Sequence, residues 1–134
     1  MLTIMLVDDQ PAILAGMTTL VDSTGIAEVV ATETDGDAAI RTAVERKPDL
    51  ILLDVSLGSV SGVDIARRLK ACWPEARILA VSAHANSVYV RGMISAGANG
   101  YMLKDRGPQE IIDAINTIMQ GGQWIGEGLS LDPV

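Results

Sequence analysis

The apolar positions of the chain fall into short blocks with two alternating rhythms. Leu2 to Val7 is a nearly unbroken aliphatic run, and Leu50-Ile51-Leu52-Leu53 is another, too short for a helix and lacking the alternation of a half-exposed strand. Such runs suit strands buried on both faces of a parallel sheet. Between them the period lengthens. Ile13, Leu14, Met17, Leu20 and Val21 recur at helical spacing after Pro11, a residue favoured in a first helical turn because its missing N–H is no loss there. Ala27 to Thr32 predicts a second strand. Ala39, Ile40, Ala43 and Val44 mark the apolar face of a second helix, N-capped by Asp35 and ended by Pro48.

The alternation continues to the end of the pattern. Ser61 and Asp64 have capping-box spacing and open a third helix that runs to about Trp73. Arg77 to Val81 predicts a fourth strand, Ser82 to Asn86 a loop, and the next segment a helix that stops near Gly97. Asn99 to Leu103 predicts the fifth strand. Pro108 opens the last helix, whose face is Ile111, Ile112, Ile115, Ile118 and Met119, and Gly121 and Gly122 end it. Residues after Gly121 make no strong pattern. Parallel neighbours need crossover helices of this length, so the chain predicts an α/β fold, a doubly wound five-stranded parallel sheet of flavodoxin-like type. The expected strand order is 2-1-3-4-5, which sets the first and third strands side by side.

That order brings chemistry to one edge. The first strand runs directly into Asp8 and Asp9, and the third ends on Asp54. In open α/β sheets the carboxyl ends of the strands are where ligands collect. Carboxylates a few ångströms apart repel, and at neutral pH they need shared protons or a cation. Oxygen ligands on loops suit Mg²⁺. Ser82 follows the fourth strand and Lys104 the fifth, so a hydroxyl and an ammonium could hold phosphoryl oxygens while Asp54 acts as nucleophile and forms an aspartyl phosphate. Plainer roles stand beside these. Asp8 and Asp9 could be loop acids at the start of a helix, Asp54 a turn residue, Lys104 a solvated lysine and Tyr101 an edge-strand aromatic. His84 reads as a loop residue, since nothing near it has zinc-ligand spacing.

Composition narrows the partners. The 134 residues suit one domain, and 17 acidic against 10 basic residues give a net charge of -7, which opposes binding of a nucleic-acid backbone by this segment. No apolar run approaches the roughly 18 residues of a membrane span, and the N-terminus lacks a signal-peptide pattern, so a cytoplasmic location with no membrane partner is expected. Cys72, the single cysteine, lies in an apolar cluster and is expected to be a buried structural thiol rather than a reactive one.

An acidic pair, an Asp, a Ser and a Lys, each ending its own strand, resemble the receiver domain of two-component response regulators, the CheY-like family. The resemblance covers about Leu2 to Met119. Ala96 to Asp105 and Gly121-Gly122-Gln123-Trp124 are similar to the NarL/FixJ, or LuxR-type, branch. It implies a receiver over residues 1–120 and, over 121–134, the start of a linker to an absent helix-turn-helix domain, through which alone DNA would be bound. It further implies Asp54 as phosphoacceptor, Mg²⁺ held by Asp9, Asp54 and the Ser56 carbonyl with Asp8 acting through water, and phosphoryl oxygens held by Ser82 and Lys104. Tyr101 would be the switch aromatic, a sensor histidine kinase the donor, and a homodimer the phosphorylated product. On this reading the chain is a switch and not an enzyme. Gly58 stands where the family usually has proline, which predicts a more mobile loop. The alternatives are a stand-alone receiver acting as a phosphorelay shuttle or interaction switch, an aspartate-nucleophile phosphatase, which commonly has a second Asp where this chain has Ser56, and a flavin protein, whose phosphate the acids after the first strand would repel.

Overall fold

The computed structural model describes residues 1–131; the last three residues of the expected linker lie outside them. β1 (Leu2–Val7) lies between β2 (Ala27–Glu33) and β3 (Leu50–Asp54), and β6 (Ile78–Ser82) and β7 (Gly100–Leu103) follow beyond β3, all parallel. This is the expected order for the first five positions of the sheet. The aliphatic runs are unbroken because both faces are covered. Met5 and Val7 of β1 point into one core layer with Ile51 and Leu53, whereas Ile4 and Leu6 point into the other with Leu50 and Leu52.

The helices α1 (Pro11–Ser23) and α5 (Pro108–Met119) cover one face through Leu14, Met17, Ile111 and Ile115. On the other face lie α2 (Gly36–Arg46), α3 (Gly62–Cys72) and α4 (Ser87–Ser95), through Ala39, Ile65 and Met93. Their starts are capped locally: Asp35 Oδ2 accepts from Ala38 N at 2.9 Å, Ser61 Oγ from Val63 N at 3.2 Å, and Asn86 Oδ1 from Val88 N at 2.8 Å. Each fully buried Leu or Ile contributes roughly 1.5–3 kcal/mol, so such a core can carry an unfavourable charge cluster at its rim.

Two expectations need correction. The sheet has six strands, because β8 (Trp124–Ile125) pairs in parallel with β7 in the register Gly100 with Trp124 and Tyr101 with Ile125. Two residues have no period to detect, and the strand exists because the edge of β7 has backbone groups to satisfy: Trp124 N donates to Asn99 O at 3.1 Å and Gly126 N to Tyr101 O at 3.0 Å. Gly100 permits this seam, since a Cβ there would stand 2.7 Å from the Trp124 carbonyl oxygen. Secondly, Cys72 is exposed. The buried face of α3 is Ile65, Ala66 and Leu69, and beyond its last turn Trp73 rather than the thiol packs on the core. The loop after Asp54 carries a small hairpin of β4 (Ser56–Leu57) and β5 (Val60–Ser61). Gly58 turns it with φ of 64°, a conformation closed to proline.

Candidate functional site

The β1–β3 register pairs Val7 with Leu53, so Asp8 and Asp54 leave adjacent strands side by side. Carboxylate oxygens of Asp8, Asp9 and Asp54 all lie within 4.8 Å of one another. Asp8 and Asp54 are each only 5% exposed, and Asp9 is the open member of the trio. Gln10 N donates to Asp8 Oδ1 at 2.9 Å, and Ser56 N donates to Asp54 Oδ1 at 3.3 Å, so main-chain donors orient both buried acids. Lys104 reaches in from the end of β7: its Nζ lies 2.8 Å from Asp8 Oδ2 and 3.1 Å from Asp54 Oδ2.

Three carboxylates and one ammonium leave a formal charge of -3 + 1 = -2 in this cluster. Burial pushes the Asp54 carboxyl above its ordinary range; Lys104 and Ser56 N pull it down without prevailing, and Asp8 raises it further. Burial acts against the Lys104 charge too, but the bonds to Asp8 and Asp54 outweigh it and raise that pKa. The two directions agree. Burial dominates at Asp54, whereas Lys104 has two acids to bond and so retains its proton despite its own burial. Beneath the pair the apolar side chains of Leu6, Leu14, Met17, Leu52 and Val81 line a small pocket, and their packing keeps solvent from Asp54. Above it an open cleft of about 250 Å³ is bounded by Asp9, Asp54, Ser56, Gly58, His84 and Lys104. An oxygen-rich, doubly negative cluster opening onto a cleft fits a hard divalent cation such as Mg²⁺.

Ser82 and Tyr101 sit beside the cluster. The β6–β7 register pairs Ser82 with Leu103, and Lys104 N donates to Ser82 O at 2.9 Å. Ser82 is fully buried, and its Oγ accepts from His84 N at 2.9 Å, which leaves the hydroxyl proton to be donated. The Tyr101 ring is also fully buried, and its OH donates to His84 O at 2.7 Å. Burial raises the pKa of that phenol, with a smaller opposing effect from hydrogen bonding to Ser82. Because β8 covers β7, Tyr101 is not on an edge strand.

Thus Asp8, Asp9, Asp54 and Lys104 converge, and Ser82 and Tyr101 are joined to one another through His84. The side chain of Ser56 is exposed, and its contact with Asp54 is made by the backbone N–H. Gly62 was not anticipated as a supporting residue, whereas His84 was expected, two positions beyond Ser82, to affect access to the phosphoryl site, and only its ring contact was not. Gly62 carries the chain against the acid loop: its N donates to Val55 O at 2.6 Å, and a Cβ there would lie 2.2 Å from Asp54 O. The only sequence signal was a glycine directly after a helix cap. His84 stacks on Tyr89 with ring centroids 4.6 Å apart and planes 18° apart, a contact created by loop shape that no spacing announces.

A parallel sheet with an acidic trio and a lysine at its carboxyl edge defines the receiver class of α/β domain. The response regulator receiver domain model matches residues 4–116, and the chain belongs to that family. It is 38% identical over 122 residues to a nitrate/nitrite response regulator protein homolog of Haemophilus influenzae, covering 90% of this chain and 58% of that protein. The transcriptional regulatory protein DegU of Brevibacillus brevis is 32% identical over 122 residues, 91% of this chain and 52% of its own length. A LuxR-family two-component response regulator from Aurantimonas superposes with a TM-score of 0.89 at 32% identity, over 94% of this chain and 90% of that one. The chain therefore spans about half the length of the curated relatives it matches. No helix among the described residues is long and apolar enough to cross a membrane.

Proposed function

We propose that this receiver domain accepts a phosphoryl group on Asp54 from the phosphohistidine of a sensor histidine kinase and thereby switches a cytoplasmic transcription regulator. The observation that carries the reading is the single lysine shared between two buried carboxylates at the mouth of a cleft. In the transfer, an Asp54 carboxylate oxygen bonds to phosphorus as the phosphorus–nitrogen bond of the donor breaks, and the electron pair stays on the imidazole. Lys104 then turns an ammonium hydrogen to a phosphoryl oxygen, and the Ser82 hydroxyl donates to another. Asp9, Asp54 and the Ser56 carbonyl would hold Mg²⁺, with Asp8 acting through a bound water. When bound, the ion neutralises charge that Lys104 leaves uncompensated.

The product is the phosphorylated domain itself, so the domain is a switch and not an enzyme acting on a separate substrate. Residues 1–120 are the receiver, and 121–134 begin a linker to a helix-turn-helix domain that binds DNA. Both relatives extend well beyond the matched segment, and one of them, DegU, is a transcriptional regulatory protein, which supports that arrangement. Phosphorylation shifts the domain toward a homodimerising form with Tyr101 as the switch aromatic. Intact-mass spectrometry after incubation with Mg²⁺ and acetyl phosphate is the test. One phosphoryl adduct, absent without Mg²⁺ and absent in Asp54→Asn, is expected; an unmodified parent protein, or an adduct that persists in the variant, contradicts the reading.

A further inference from the structure

Three hydrogen bonds run in series from the Ser82 hydroxyl to the far edge of the sheet. His84 N donates to Ser82 Oγ at 2.9 Å, Tyr101 OH donates to His84 O at 2.7 Å, and Gly126 N donates to Tyr101 O at 3.0 Å. The last of these comes from the segment after α5. That segment grips both sides of the β7 edge: Trp124 packs on the layer beneath α1 and α5, while Ile125, Leu129 and Leu131 pack on the layer that contains the Tyr101 ring. Ile125 is also the register partner of Tyr101. Gly126 is buried at the crossing, and a Cβ there would stand 2.9 Å from Glu110 Oε1 and 3.4 Å from Tyr101 O.

We propose that residues 124–131 are a positioning strap for the phosphoryl site, fixing the main chain and ring of Tyr101 and, through His84, the Ser82 hydroxyl. Among the described residues the strap meets β7 over just two register pairs, Gly100 with Trp124 and Tyr101 with Ile125, and Trp124, Ile125 and Leu129 are half-buried. Such a segment opens more readily than the core, so its docking can be shifted by what happens at Ser82. Coupling between two sites is reciprocal: a ligand held by Ser82 steadies the strap, and a loosened strap weakens that ligand's hold. The inference rests on the reading above only in taking a phosphoryl group as the occupant. It adds a function for the start of the linker, which reports the state of the site to whatever follows it.

The test uses the whole chain with Mg²⁺ and beryllofluoride, a phosphoryl mimic, read by amide hydrogen exchange and by a binding titration. In the parent protein, saturating beryllofluoride slows exchange at the Trp124 and Gly126 amides. Ile125→Asp frees the strap, speeds exchange at His84 and weakens beryllofluoride binding about fivefold, the lower end of usual couplings. Ile125→Val restores both. Gly126→Pro, which removes the donor to Tyr101, acts in the same direction should the aspartate variant fold poorly. Free exchange of the strap amides in these variants, with His84 exchange and beryllofluoride affinity at parent values, overturns the proposal. A parent protein that binds no beryllofluoride brings down the Asp54 reading instead, and the His84 comparison between parent and variants still decides the strap.

Discussion

Asp49 immediately precedes β3 and Asp54 ends it, and their surroundings are opposite. The Asp49 carboxylate is exposed and satisfied: its Oδ2 accepts from Thr3 N at 2.8 Å and from Thr3 Oγ at 3.1 Å, while Asp49 N donates back to Thr3 Oγ at 3.0 Å. It clamps the start of β3 to β1. Asp54 is buried, sits near two other carboxylates, and shares one lysine with Asp8. An acid that already has its own donors is structural, whereas one held in deficit of positive charge is available to a cation and an electrophile. The two ends of β3 thus divide register from chemistry.

The contrast breaks most severely at Gly62. In Gly62→Ala the new Cβ would meet the Asp54 carbonyl and the Val55 main chain, neither of which can swing aside. A loss of about 3 kcal/mol in urea unfolding is expected, together with loss of phosphorylation. Lys104→Met comes next. It leaves the buried acids uncompensated and lowers stability by about 2 kcal/mol at pH 7, a loss that added Mg²⁺ partly reverses. Because the folded-state pKa of Lys104 is raised, its contribution is whole below the ordinary lysine value near ~10.4 and disappears as pH rises through the higher folded value.

Asp54 has the opposite consequence at neutral pH. Its folded pKa is also raised, so the proton it binds favours folding below the ordinary carboxylate value near ~3.9, and that benefit is lost as pH climbs through the folded value. The ionised side chain therefore weighs on the fold at pH 7. Asp54→Asn should raise the melting temperature by roughly 4 °C, with the gain shrinking on acidification or on addition of Mg²⁺. A melting temperature that falls instead would mean that the cluster is already balanced. The smallest effect is at the other end of the strand: Asp49→Ala removes exposed bonds at a loss of about 1 kcal/mol and leaves the extent of phosphorylation unchanged.

Much of this was legible before any coordinates. Leu2 to Val7 and Leu50 to Leu53 could be placed as central strands because burial on both faces suppresses polar positions, and once the strands were ordered, Asp8, Asp9, Asp54 and Lys104 fell at one edge. What escaped detection depends on approach rather than on period. β8 is two residues held by the free edge of β7, Gly62 and Gly100 are needed because another backbone passes close by, and His84 finds Tyr89 only through the shape of its loop. Cys72 misled because an apolar neighbourhood in sequence is not one in space at the end of a helix. Residue type alone does not separate Asp49 from Asp54.

The most direct measurement is to trap the acyl phosphate. After reaction with acetyl phosphate and Mg²⁺, borohydride reduces an aspartyl phosphate to homoserine, and tandem mass spectrometry of the digest locates it. The account predicts homoserine at position 54 and unmodified aspartate at positions 8, 9 and 49. Homoserine at any of those three, or at none of the four, contradicts it.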